Sequence, residues 1–524
     1  MERYGVSSRE NPIPALVTLV GTVFSAVMAI LSDGAYHDDG LTHYLFAHWA
    51  WNDPHYLLNE WGRPGLTLLL FPVAAIGWPA AKVLMAVVSG AAVWLAYQSA
   101  RRLRMPMAAW VPVLCFIQPV FLVMSYDTMT ENAMAFYLAL GLWLHLARRH
   151  AWGAAAVSLC FVTRYESIVL LAVWAVALWR GRARWTAFAM LLWAPLVYNL
   201  LGLFILGRLP LLYFAETPQL AEYGAGTPLT ILVRGMAAWG PAVCVLALVG
   251  CLESWRTRDG WMVSASVIAY VVTHSLVYWL GTHGSGGYPR FLVAVAPLVA
   301  IAAANGLERL ADAVFPPRRA VPVLLAVVVG VLCIGAQWEG PPRDEAWIFL
   351  LNKVRPLIQI VSLVVIGLAV VWWVRLGQGG GYRAVRWPGR LLSLLAVGAT
   401  AVPLALFVRP HRLSPDERAI QAAAEWIDVR RSADPGVVAT NMWASFFLDR
   451  GRSVVPSDRT PILDDAPPGT LLLWDAEYSP SERFGLTPEV MADRADDWRL
   501  VWTGPAGHIA NPFVLVYECN RREP

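Results

Sequence analysis

The feature that most constrains this chain is its succession of long apolar runs. An apolar helix of about 20 residues crosses the hydrocarbon core of a bilayer. Residues 13–31 and 185–206 hold such runs without a single charged side chain. By that measure about thirteen spans are expected, near 13–31, 80–99, 107–124, 132–147, 152–162, 168–179, 185–206, 230–252, 262–280, 291–307, 321–338, 357–374 and 391–408. Residues 64–76 are too short to span and read as a re-entrant or interfacial helix. The run 152–162 is also short and meets its neighbour at a break, Thr163-Arg-Tyr-Glu166. With 57% hydrophobic residues in 524, the chain is more apolar than a soluble globular protein of this length. The expected class is an α-helical polytopic membrane protein, since a lone helix satisfies its own backbone in lipid.

Arginine placement sets the expected orientation. One series of loops holds Arg3 and Arg9, then Arg101, Arg102 and Arg104, then Arg148 and Arg149, then Arg180, Arg182 and Arg184, and so on to Arg375, Arg383, Arg386 and Arg390. The alternate loops carry mostly single cations. The first series is expected to be cytoplasmic, with the short polar N-terminus before a signal-anchor. The loop at 33–63 then faces the other side, and after an odd number of spans so does the tail. The tail, 409–524, turns polar. Residues 415–430 read as a helix capped by Ser414, with Asp416 and Glu417 in its first turn. Residues 436–440, 470–474, 499–503 and 513–519 read as short strands. The expected organisation is a membrane domain over 1–408 and a small soluble α/β domain over 409–524. The cysteines fall mostly inside apolar runs and read as packing residues, not a disulfide framework.

The polar residues of the non-cytoplasmic side converge from several loops. Asp38 and Asp39 stand together in the first, with His37, His43, His48 and His55. Asp127 and Glu131 stand in the second, Arg164 and Glu166 in the third, and His283, Tyr288 and Arg290 in the fifth. Charge this close to hydrocarbon is costly and marks a functional site. A carboxylate can take a proton from an acceptor hydroxyl or amine, and an arginine at the bilayer surface can hold a lipid-linked phosphate. Each residue also has a plainer use. Asp39 and Asp127 could cap helices, Arg164 could pair with Glu166, and Arg290 could reach to the interface. The histidine spacings fit no zinc pattern, so no metal is expected. Residues 41–51 read as an amphipathic helix lying at the interface, with its Trp and Tyr at headgroup depth.

The order of these features resembles the GT-C glycosyltransferases. The resemblance rests on one span and an acid pair in a large first loop. It continues through Arg63-Pro-Gly-Leu-Thr-Leu-Leu-Leu-Phe-Pro72, the Gly77-Trp-Pro79 turn, Asp127 to Trp143, Val162-Thr-Arg-Tyr-Glu166 and Tyr288-Pro-Arg-Phe-Leu-Val-Ala-Val-Ala-Pro297. It covers roughly residues 12–310 and implies a multispanning enzyme of the plasma (inner) membrane. Such an enzyme uses a sugar on a polyprenyl phosphate as donor substrate, with no further cofactor. By position it implies Asp38 or Asp39 as the base, Asp127 and Glu131 as acceptor-orienting groups, and Arg290, Arg164, Tyr288 and His283 around the donor phosphate. The implied reaction is an inverting transfer to an extracytoplasmic glycan, lipid or protein. Partners would be the lipid donor and membrane lipids, not nucleic acid. A secondary transporter, with charge buried at mid-membrane, and a lipid-linked glycan ligase or polymerase are the competing classes.

Overall fold

The computed structural model describes residues 11–212, 225–255, 257, 259–282, 285–312, 408–429, 436–448, 461–464, 466–481 and 484–521. Helix α1 is Ile13–Leu31. Its Ile13, Leu16, Leu19, Val20 and Ile30 are exposed, the outward apolar face that a lipid-facing helix needs. After it come α2 (Asp38–Trp49), α3 (Pro64–Ala74) and α4 (Trp78–Arg102). The run 107–124 is not one helix. It divides into a 3₁₀ turn at Ala108–Trp110, α5 (Val111–Phe116) and α6 (Pro119–Met124). Pro119 has no N–H to continue a helix, and Gln118 before it is extended.

Helices α7 (Thr130–Leu146), α8 (His150–Thr163), α9 (Ile168–Arg180) and α10 (Trp185–Leu206) follow. The run 230–252 is also broken. Helices α11 (Thr230–Trp239) and α12 (Pro241–Ser254) meet at 113°. Gly240 stands at φ 82° between them, a backbone region that glycine enters without a side-chain clash, and Pro241 starts the next helix. Then come α13 (Trp261–Leu280), a 3₁₀ segment at Pro289–Val295, and α14 (Ala296–Asp312).

Among the described residues, five helices are long and apolar enough to cross a membrane, or six if the bent pair counts as one span. The thirteen expected are therefore not matched one for one. Two of the expected runs are bent or divided, and those near 321–338, 357–374 and 391–408 lie outside the described residues. The expected re-entrant segment is α3, short and apolar.

Helix α2 departs from the interfacial helix expected at 41–51. Tyr44, Phe46 and Trp49 are buried. The helix lies between α3 and a tail helix, α16 (Met442–Phe447), so its aromatic rings meet protein on both sides.

The tail starts on α15, Pro415–Val429. Ser414 and Glu417 cap it reciprocally, backbone N–H of each to the side chain of the other, at 2.6 and 3.2 Å. Four strands form one sheet in the order β1-β2-β4-β3. They are β1 (Val437–Ala439), β2 (Leu471–Asp475), β3 (Trp498–Thr503) and β4 (Val514–Cys519). β1 runs parallel to β2, and the other pairs are antiparallel. The continuous apolar run of β2 is buried along its whole length, as an interior strand requires.

The tail is seated on the first loop. Gly34 N–H donates to His411 O at 3.1 Å, His411 N–H to Ser32 Oγ at 2.8 Å, and Tyr126 O–H to Arg409 O at 2.9 Å.

Candidate active site

The polar residues gather at one end of the helices. Asp38 follows α1, Glu131 starts α7, Arg164 ends α8, and Arg290 precedes α14. The arginine-rich turns at 101–104, 148–149 and 180–184 stand at the opposite ends of α4, α7 and α9. Helix direction alone thus separates the two charge populations.

The adjacent carboxylates Asp38 and Asp39 have different partners. Asp39 Oδ2 lies 2.8 Å from Arg290 NH2 and 3.3 Å from His37 Nδ1. Burial alone would raise its pKa, but His37 and Arg290 outweigh that and hold it far below the usual carboxylate range. Asp38 turns the other way. Its Oδ1 accepts Trp443 Nε1–H at 2.8 Å and its Oδ2 accepts the Tyr478 hydroxyl at 2.9 Å. One acid is therefore neutralised by a cation, while the other receives two neutral donors from the described residues of the tail.

Behind Asp39 lies a buried group of arginines. Arg164 NH1 is 2.6 Å from Glu131 Oε1 and its NH2 is 2.8 Å from Glu166 Oε1. Arg290 Nε is 3.9 Å from the same Glu131 oxygen, so Glu131 ties the two arginines together. The guanidinium of Arg164 stacks 4.4 Å from the Phe291 ring, and that of Arg290 4.4 Å from Tyr288. Buried His43 stands among them. Burial lowers its pKa to about 3, Asp39 opposes this, and Arg63, Arg164 and Arg290 add to it. Its imidazole is neutral at physiological pH, which leaves the positive potential to the three arginines.

Arg63, which heads the Pro-led segment and has no role assigned to it from the sequence, is the third member. It precedes Pro64 at φ 59°, a left-handed conformation costly for a residue with a Cβ. Its guanidinium lies 5.3 Å from the Tyr165 ring. The available signal was an arginine directly before a Pro-led apolar helix.

Asp127 is not among these groups. It is fully buried, accepts Thr128 N–H at 2.7 Å and also accepts Tyr36 N–H. It fixes the loop that carries Asp38. A Cβ on Gly40 would lie 2.6 Å from its Oδ1. Lys82 assists from α4, donating to Gly34 O at 2.6 Å and Ser32 O at 3.3 Å. Its signal was a single cation inside an apolar span. Tyr288 stacks beside Arg290, whereas His283 lies outside the described residues. Among the described residues, no group of three or more His, Cys, Asp or Glu is placed to hold a metal ion.

Apolar helices joined by short turns, with acids and arginines gathered at one end beneath a small sheet domain, make a multi-pass membrane protein with an ArnT-like fold. The crystal structure of ArnT from Cupriavidus metallidurans bound to undecaprenyl phosphate superposes with a TM-score of 0.61, at 14% identity, over 96% of this chain and 97% of that one. The apo structure of the same protein gives the same values. No family model and no curated protein matches the sequence.

Proposed function

We propose that this protein is a membrane glycosyltransferase that moves a sugar from a polyprenyl-phosphate carrier to an extracytoplasmic acceptor. The observation that carries the reading is the division of labour in Asp38-Asp39. One carboxylate is locked to the arginine group, and its neighbour turns to the Trp443 and Tyr478 donors, with no cation against it among the described residues. The likeness to a protein crystallised with undecaprenyl phosphate supports the choice of carrier.

In this reading the donor phosphate enters among Arg290, Arg164 and Arg63 and competes with Asp39 and Glu131 for their guanidinium groups. The acceptor O–H or N–H hydrogen-bonds to Asp38. The acceptor atom attacks the anomeric carbon and the bond from that carbon to the phosphate oxygen breaks. Asp38 takes the acceptor's proton, and polyprenyl phosphate leaves with the electron pair. Displacement in one step inverts the configuration. Fixed positive charge stabilises the leaving group without having to reorganise.

Purified protein with synthetic polyprenyl-phosphate sugars, and separately with nucleotide sugars, tests the reading. Turnover is expected only with the lipid donor and is expected to survive EDTA. Asp38→Asn should lose about 100-fold or more in kcat while still binding donor. Turnover with a nucleotide sugar and no lipid carrier, or a fully active Asp38→Asn, would overturn it.

A further inference from the structure

The tail contacts on Asp38 come from turns that follow β1 and β2, which are adjacent parallel strands. Both turns therefore open at the same edge of the sheet. The two are tied together. Thr440 Oγ1 donates to Asp475 Oδ2 at 2.8 Å and lies 2.8 Å from Ser479 Oγ. Asp475 Oδ1 accepts the backbone N–H of Tyr478 at 2.7 Å and that of Glu477 at 3.1 Å. Asn441 Oδ1 accepts Trp443 N–H at 3.0 Å and starts α16. Asp475 and Thr440 are buried, so this polar cluster is rigid only because it is fully bonded.

Its product is a pair of aimed donors. The Trp443 indole is held against Trp78, with ring centroids 5.7 Å apart, and against Phe447 at 5.6 Å. Trp78 is in turn pinned by its Nε1–H to Thr128 Oγ1 at 3.1 Å. The indole N–H meets one oxygen of Asp38 and the Tyr478 hydroxyl meets the other. A carboxylate has about four lone-pair sites. Among the described residues one donor engages each oxygen.

We propose that Trp443 and Tyr478 are positioning residues of the transfer reaction, holding the Asp38 carboxylate in one orientation toward the acceptor. The tail is then part of the catalytic apparatus and not a separate binding module. This inference rests on Asp38 being the base. The titratable groups that face Asp38 are Glu417 from α15 and Glu477 and Tyr478 from the turn after β2, and Asp39 adjoins it in the chain.

The test compares Tyr478→Phe, Trp443→Phe and Asp38→Asn in the full-length protein, with the polyprenyl-phosphate donor. Each of the first two should lower kcat by roughly 10- to 100-fold, the worth of one hydrogen bond to a charged group. KM for the lipid donor should hold, so that the loss falls on kcat alone. Unchanged kcat in both variants, with Asp38→Asn inactive, would overturn the positioning role alone. An active Asp38→Asn would instead overturn the base. A loss of kcat that tracks a fall in melting temperature, with KM for the donor rising alongside, would show that the tail merely holds the loop in place and would also overturn the proposal.

Discussion

At the scale of single residues, the site is organised by which charges share a partner. Glu131 touches both Arg164 and Arg290. Removing its charge relieves both guanidinium groups of a competing anion, so Glu131→Gln should tighten retention of the polyprenyl phosphate, by about 10-fold. Competition binding with the polyprenyl phosphate product measures it. Arg290→Ala should lose more than Arg290→Lys, because an ammonium keeps the charge but lacks the flat two-toothed geometry. Equal loss in the two variants would show that charge alone matters. Gly40 is a second kind of constraint. The Asp127 carboxylate that a Cβ would strike is itself fixed by Tyr36 and Thr128. Gly40→Ala should therefore destabilise by roughly 1–3 kcal/mol, the usual cost of overpacking. A thermal melt in detergent reads this, and an unchanged melting temperature would show that the loop yields freely.

At the scale of elements, α15 bears on pH dependence. Burial and then the nearby Asp38 push the Glu417 carboxyl up to about 8, against its bond from Ser414. An acid whose folded pKa is raised stays protonated in the folded protein while the unfolded chain ionises. The stability of the docked tail is accordingly greatest below the usual carboxylate range of about 4.3 and is lost progressively as pH rises from there to about 8. Glu417→Gln, which cannot ionise, should flatten that dependence and raise the melting temperature at pH near 8 relative to the parent. Identical melting profiles for the two proteins across this range would remove Glu417 from the account.

Elements also show what the sequence made legible. The apolar runs 13–31 and 185–206 became α1 and α10 with the same bounds, because an unbroken apolar stretch admits one solution in lipid. The strands of the tail fell where alternating or continuous apolar stretches met turn residues. The run 107–124 misled because hydropathy does not register that Pro119 stops a helix. The aromatic face of α2 misled because burial under α16 depends on a segment about 400 residues later. For the same reason Trp443 and Tyr478, 405 and 440 positions from Asp38, leave no local trace, whereas Asp38, Glu131, Arg164 and Arg290 stood out as charges beside apolar runs.

At the scale of the whole molecule, the remaining question is which side of the membrane the site faces. The helices place the Asp38 loop and the seated tail at one end and the arginine-rich turns at the other. Cytoplasmic loops carry the excess of Lys and Arg, so the site and tail are expected outside the cytoplasm. In the proposed reading a lipid donor presents its phosphate there at headgroup depth, beside Arg290, while nucleotide sugars are made on the other side. Single cysteines report this directly. Ala506 is exposed in the turn between β3 and β4, and Thr186 is exposed at the start of α10, after the 180–184 arginines. The native cysteines among the described residues are buried or partly buried and provide a low background. Ala506→Cys should react with a membrane-impermeant maleimide on intact cells, and Thr186→Cys only after permeabilisation. The reverse pattern would put Asp38 and the arginine group in the cytoplasm, where a nucleotide-linked donor is accessible, and would remove the reason for a lipid carrier.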